Sequence, residues 1–63
     1  MKKILTFEET KALLNTTTGH LRSLVFHKKI PYLKLNRLIR FDYDDLIVWI
    51  NHKKSVAEVK NDN

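Results

Sequence analysis

Seven cationic side chains, Lys11, Arg22, Lys28, Lys29, Lys34, Arg37 and Arg40, fall within residues 10–41, a stretch with no Asp or Glu. His20 and His27 lie in the same stretch, while Glu8 and Glu9 precede it and Asp42, Asp44 and Asp45 follow it. Charge sorted in this way along a small folded chain builds one positive face, the electrostatic footprint of phosphate binding. Arg22 is the residue best suited to reading a base, because one guanidinium can donate to guanine O6 and N7 together. Its plainer roles are a phosphate contact or a solvated charge. Around it, Thr18, His20 and Ser23 can touch bases or phosphates, and Gly19 leaves a bare spot where another backbone can approach. Thr17 reads first as a helix cap, although an N-terminal hydroxyl also suits a phosphate. Further on, Arg37 can reach phosphate or minor groove from a hairpin tip shared with Asn36, or can simply keep an edge strand soluble. Lys34 and Arg40 flank that tip and suit phosphates. Lys28 and Lys29 carry less meaning, because helix C-termini attract cations anyway.

Catalytic and metal chemistry have no comparable footing. The chain has no Cys, which excludes a disulfide and a zinc finger and is compatible with a reducing, cytoplasmic setting. His20, His27 and His52 are scattered without metal-ligand spacing, and no Ser-His-Asp order, Gly-rich phosphate loop or paired carboxylate is evident. The expectation is therefore no enzyme, no metal and no cofactor. Net charge is +5 over 63 residues, enough for one small domain with a modest core. Met1-Lys2-Lys3 is basic, but no apolar run follows, so neither a signal peptide nor a membrane span is expected.

The elements that must position these side chains follow from local signals. Ile4-Leu5 is a short apolar lead-in. Thr6-Phe7-Glu8-Glu9 reads as a capping box opening a first helix over residues 7–14, with Phe7, Thr10, Leu13 and Leu14 as its buried stripe. Asn15-Thr16 is the turn, and Thr17 caps a second helix that runs to about residue 27. On that helix Leu21, Leu24, Val25 and Lys28 lie along one side, and Thr18, Arg22 and Phe26, with Gly19 and Ser23, lie along the other. Phe26 is out of place there, and is read either as packing on the hairpin or as a protein contact. Pro31 ends the helix by disfavouring helical geometry in Ile30. Residues 32–35 and 38–41 read as strands joined at Asn36-Arg37, since Asn tolerates the positive φ of a tight hairpin. Asp42 caps a third helix over residues 43–52, with Leu46, Trp49 and Ile50 facing the core.

A helix-turn-helix, a two-stranded wing and a C-terminal helix make a mostly α fold with a small β-hairpin, laid out as a winged helix-turn-helix. That places residues 4–52 in one domain and leaves 53–63 as a frayed or flexible tail. In that layout the second helix enters a major groove and the hairpin touches the flanking backbone or minor groove.

Leu5-Thr6-Phe7-Glu8-Glu9, Leu13-Leu14, residues 17–25, Lys29-Ile30-Pro31, Arg40-Phe41, Asp45-Leu46 and Trp49-Ile50 occur in the order shown by one family. The chain resembles the small excisionase-type helix-turn-helix proteins related to the MerR DNA-binding domain, over about residues 5–50. The resemblance implies double-stranded DNA as partner, an integrase or other recombinase as a second partner, and side-by-side association on repeated sites. It implies a phage or mobile-element role in recombination directionality, with a small transcriptional regulator as the alternative. From another class, a protein-interaction module would dock a partner through Phe26 and the tail. The family carries Gly at or beside positions 15, 28 and 36, where this chain has Asn15, Lys28 and Asn36.

Overall fold

Thr6 and Glu9 fix the opening turn of the first helix. The Glu9 amide donates to Thr6 Oγ1 at 3.0 Å and the Thr6 amide donates to Glu9 Oε1 at 2.9 Å, the reciprocal pair that satisfies two otherwise orphaned donors. The computed structural model describes residues 3–61, with side chains as far as Lys54. Its elements follow as β1 (Ile4–Leu5), α1 (Phe7–Leu14), α2 (Thr18–Phe26), β2 (Leu33–Leu35), β3 (Leu38–Asp42) and α3 (Tyr43–Asn61). Three helices and one three-stranded antiparallel sheet make a mixed α/β fold, with strand order β1-β3-β2.

The third strand corrects the expectation of a lone hairpin. Ile4 pairs with Asp42 and Leu5 with Phe41, so the apolar lead-in adds an edge to the hairpin and makes β3 central. The Tyr43 amide, donating to the Lys3 carbonyl at 3.0 Å, carries this pairing one step into α3. Two residues are too few to show a strand's alternation, which hides β1 from the sequence. The hairpin itself has the register Leu33↔Arg40, Lys34↔Ile39 and Leu35↔Leu38, leaving Asn36-Arg37 as the two-residue turn. Tyr32 stays outside β2 and Asp42 joins β3, each one residue from the sequence boundary.

Both leading helices close with the same hydrogen-bond pattern. At the end of α1 the Asn15 amide donates to the Ala12 carbonyl and the Thr16 amide to the Lys11 carbonyl, each at 3.1 Å. At the end of α2 the Lys28 amide donates to Val25 at 3.0 Å and the Lys29 amide to Leu24 at 2.8 Å. These are Schellman motifs, and each needs a left-handed residue at its pivot. Asn15 (φ 53°), Lys28 (φ 55°) and Asn36 (φ 60°) are the non-glycine residues with positive φ among those described. Asn tolerates this geometry, but Lys gains nothing from it. Lys28→Gly is therefore expected to raise stability by about 0.5–1 kcal/mol, the left-handed cost less the extra chain entropy of glycine. Urea denaturation checks this, and a destabilised variant would mean that the Lys28 stem packs usefully.

The core draws one residue from nearly every segment. Leu5 of β1, Leu21 of α2, Ile30 of the following loop, Phe41 of β3 and Leu46 of α3 are buried together, with Phe7, Leu14, Leu24, Val25, Tyr32, Ile39 and Trp49 packed around them. Of the expected α1 stripe, Thr10 is fully buried and Phe7 and Leu14 are half-buried, but Leu13 is 43% exposed. Leu13 instead borders an open groove with Lys3, Leu5, Ala12 and Tyr43. Thr10 Oγ1 has no partner among the described residues. Lys28 leaves the apolar side of α2 because its left-handed backbone swings it into solvent.

Asp42 ends β3 and starts α3 without a loop. Its Oδ1 accepts from the amides of Asp44 at 2.8 Å and Asp45 at 3.4 Å, and negative charge suits this end of a helix. The helix runs past His52 to Asn61, beyond the expected stop. No Gly or Pro follows Pro31 in the chain, so nothing after His52 breaks a helix. Residues 53–61 of the expected frayed tail thus lie within α3, and Asp62 and Asn63 lie outside the described residues.

Candidate nucleic-acid interface

Helix α2 begins at a short turn and is capped as its sequence dictates. The His20 amide donates to Thr17 Oγ1 at 3.1 Å, so Thr17 is an N-cap before anything else. The next hydroxyl is also engaged: Lys11 Nζ donates to Thr18 Oγ1 at 3.0 Å and pairs with Glu8 at 3.0 Å. Lys11 is thereby engaged by the fold; its pair with Glu8 is an i,i+3 contact within α1, but its bond to Thr18 spans two helices and has no local sequence signal.

Gly19, Arg22, Ser23 and Phe26 are all exposed and are spaced i, i+3, i+4, i+7, so they form one stripe. Gly19 has a negative φ, and a methyl group built there would meet nothing within 4 Å. The fold therefore does not demand glycine at this position, where alanine would favour the helix. Ser23 is engaged within its own helix: His27 Nδ1–H donates to its carbonyl at 3.0 Å with the hydroxyl 3.3 Å from the same nitrogen. His20 departs from the grouping read from sequence. It borders an apolar groove with Leu14, Thr16, Leu24, Trp49, Ile50 and Lys53, about 160° around the helix from Arg22. The residue is exposed, but it faces the seam with α3.

On the hairpin, Lys34, Asn36 and Arg37 are exposed, with Asn36 and Arg37 forming the tip. Arg40 differs: it is half-buried and its Nη1 donates to the carbonyl of Ile39 at 2.8 Å. Four or fewer of its guanidinium N–H groups then stay free for another acceptor. The half-exposed Leu35 and Leu38 stand opposite each other beneath the tip.

The two elements share an electrostatic character. Among the described residues, Lys11–Glu8 is the only ion pair, so no described carboxylate lies within 4.0 Å of Arg22, Lys28, Lys29, Lys34, Arg37 or Arg40. The acids whose side chains are described, Glu8, Glu9, Asp42, Asp44 and Asp45, occupy the caps and opening turns of α1 and α3, where capping and helix polarity account for them. An array of cations without counter-charges attracts polyanions through a summed field. No three His, Asp or Glu side chains gather as a metal site among the described residues, and none of the described helices is long and apolar enough to cross a membrane.

Comparison of the chain with protein-family models, with curated proteins and with solved structures finds no match.

Proposed function

We propose that the chain is a non-enzymatic, sequence-specific binder of double-stranded DNA, acting as a winged helix-turn-helix of excisionase type. In this reading α2 lies in the major groove and reads bases through Arg22, with Gly19 permitting close approach. The β2–β3 hairpin is the wing, with Lys34, Arg37 and part of Arg40 on flanking phosphates. The observation that carries it is the set of exposed cations on α2 and the hairpin with no described carboxylate beside them. The resemblance adds a cellular role: binding repeated sites of a phage or mobile element and shaping the DNA for an integrase. A small transcriptional regulator would use the same surface, and footprinting distinguishes the two by whether the protected site lies in an attachment region or a promoter.

The test is affinity for duplex DNA as a function of salt. Three to five neutralised phosphates predict a slope of log affinity against log salt of roughly −3 to −5, at about −0.9 per phosphate. An affinity insensitive to salt, or no binding at low ionic strength, would overturn the DNA reading and leave the basic face as a solvated surface.

A further inference from the structure

Phe26 is unused by the DNA reading above. It is 78% exposed, the most exposed large apolar side chain among the described residues, and it ends α2. Two observations give it a direction. It lies at i+4 from Arg22 and i+7 from Gly19, on the stripe assigned to the major groove. Its ring is also held without being covered: it stands edge-on to His27, with centroids 5.1 Å apart and planes at 88°. His27 is in turn fixed to Ser23 by its Nδ1–H. The aromatic is therefore oriented by its own helix and offered to solvent, rather than seated on another element.

We propose that Phe26 is a specificity-determining residue that packs against the 5-methyl group of a thymine in the major groove. The inference rests on the DNA-binding reading. A phenyl ring has no hydrogen-bonding group and cannot read the donors and acceptors of base edges. Thymine presents the apolar methyl group in that groove, the feature a phenyl ring can recognise by contact. Arg22 and Phe26 are separated by about 6 Å along the helix axis, against a base rise of about 3.4 Å. The thymine therefore falls within about two base pairs of the base that Arg22 meets.

The experiment selects a preferred duplex from a random library with the wild-type chain, then replaces its thymines one at a time by deoxyuridine, which removes only the methyl group. Wild type, Phe26→Ala and Phe26→Leu are titrated against each duplex and against random DNA, with folding checked by circular dichroism. One replacement is expected to weaken wild type about fourfold, the contact of a single methyl group. The same replacement should leave Phe26→Ala unchanged and affect Phe26→Leu partly, while all three chains bind random DNA equally. A Phe26→Ala variant as tight as wild type on the selected duplex overturns the proposal, as does an equal response of both chains to every replacement. So does a variant that binds DNA normally but has lost self-association, since Phe26 then serves a protein contact. These outcomes leave DNA binding intact, whereas failure to bind any duplex overturns the DNA reading itself.

Discussion

Phe41→Ala is expected to leave most of the chain unfolded at 25 °C. Phe41 has no exposed surface, sits on the central strand, and packs against the ring of Phe7 with centroids 6.4 Å apart. Truncating a buried Phe costs about 3–5 kcal/mol through lost transfer energy and the cavity left behind. A domain of this size without a staple rarely holds more than about 3–5 kcal/mol in total, so this one residue can exhaust its stability. Trp49 sets the scale for a partly buried aromatic. Its Nε1–H donates to the Lys29 carbonyl at 2.8 Å, tying α3 to the turn that leaves α2. Trp49→Ala should therefore cost less than Phe41→Ala, and Trp49→Phe should lose about 1 kcal/mol, the usual worth of one hydrogen bond. Thermal and urea unfolding followed by circular dichroism order the three variants. A cooperatively folded Phe41→Ala with wild-type stability would contradict this core, and a fully stable Trp49→Ala that had lost DNA affinity would make Trp49 a contact residue.

The features legible in the sequence are those whose causes are local. Thr6 and Glu9, Thr17, and Asp42 each cap a helix through bonds spanning two or three residues, and those side chains foretell the geometry. Asn36 likewise marks its turn by tolerating positive φ. Features set by distant partners were not legible. Strand β1 exists because Phe41 and Asp42 offer it an edge, and Ile4-Leu5 alone does not reveal this. Lys28 adopts a left-handed conformation that its own type disfavours. The Schellman bonds of the helix end define the turn, and burial of Ile30 and the bond from Trp49 to Lys29 tie down the chain beyond it. The candidate site divides in the same way. Helical periodicity puts Gly19, Arg22, Ser23 and Phe26 on one face and His20 about 160° from Arg22, but it does not say that Trp49 and Ile50 of α3 border the same groove as His20. Nor does it say that Thr18 is taken by Lys11, or that Arg40 folds back on its own strand.

Arg22→Ala and Arg37→Ala should fail on DNA in different ways, because one side chain lies on the α2 stripe and the other at the hairpin tip. If Arg22 makes a bidentate contact to guanine, its loss should cost about 1–3 kcal/mol on the preferred duplex and much less on random DNA. That is roughly a 5- to 150-fold drop in the specific-to-random ratio at 1.4 kcal/mol per decade. Arg37 at a phosphate carries no sequence information, so its loss should weaken both duplexes similarly and flatten the salt slope by about 0.9. Neither residue has a described carboxylate partner or a buried side chain, so both variants should keep wild-type stability. Separate elements without shared partners also predict that the two losses add within about 0.5 kcal/mol in the double variant. The informative quantity is the affinity ratio, not either affinity alone. Should Arg37→Ala collapse the ratio while Arg22→Ala preserves it, the hairpin reads the sequence from the minor groove and α2 only anchors. The positions would keep their cations and exchange their roles.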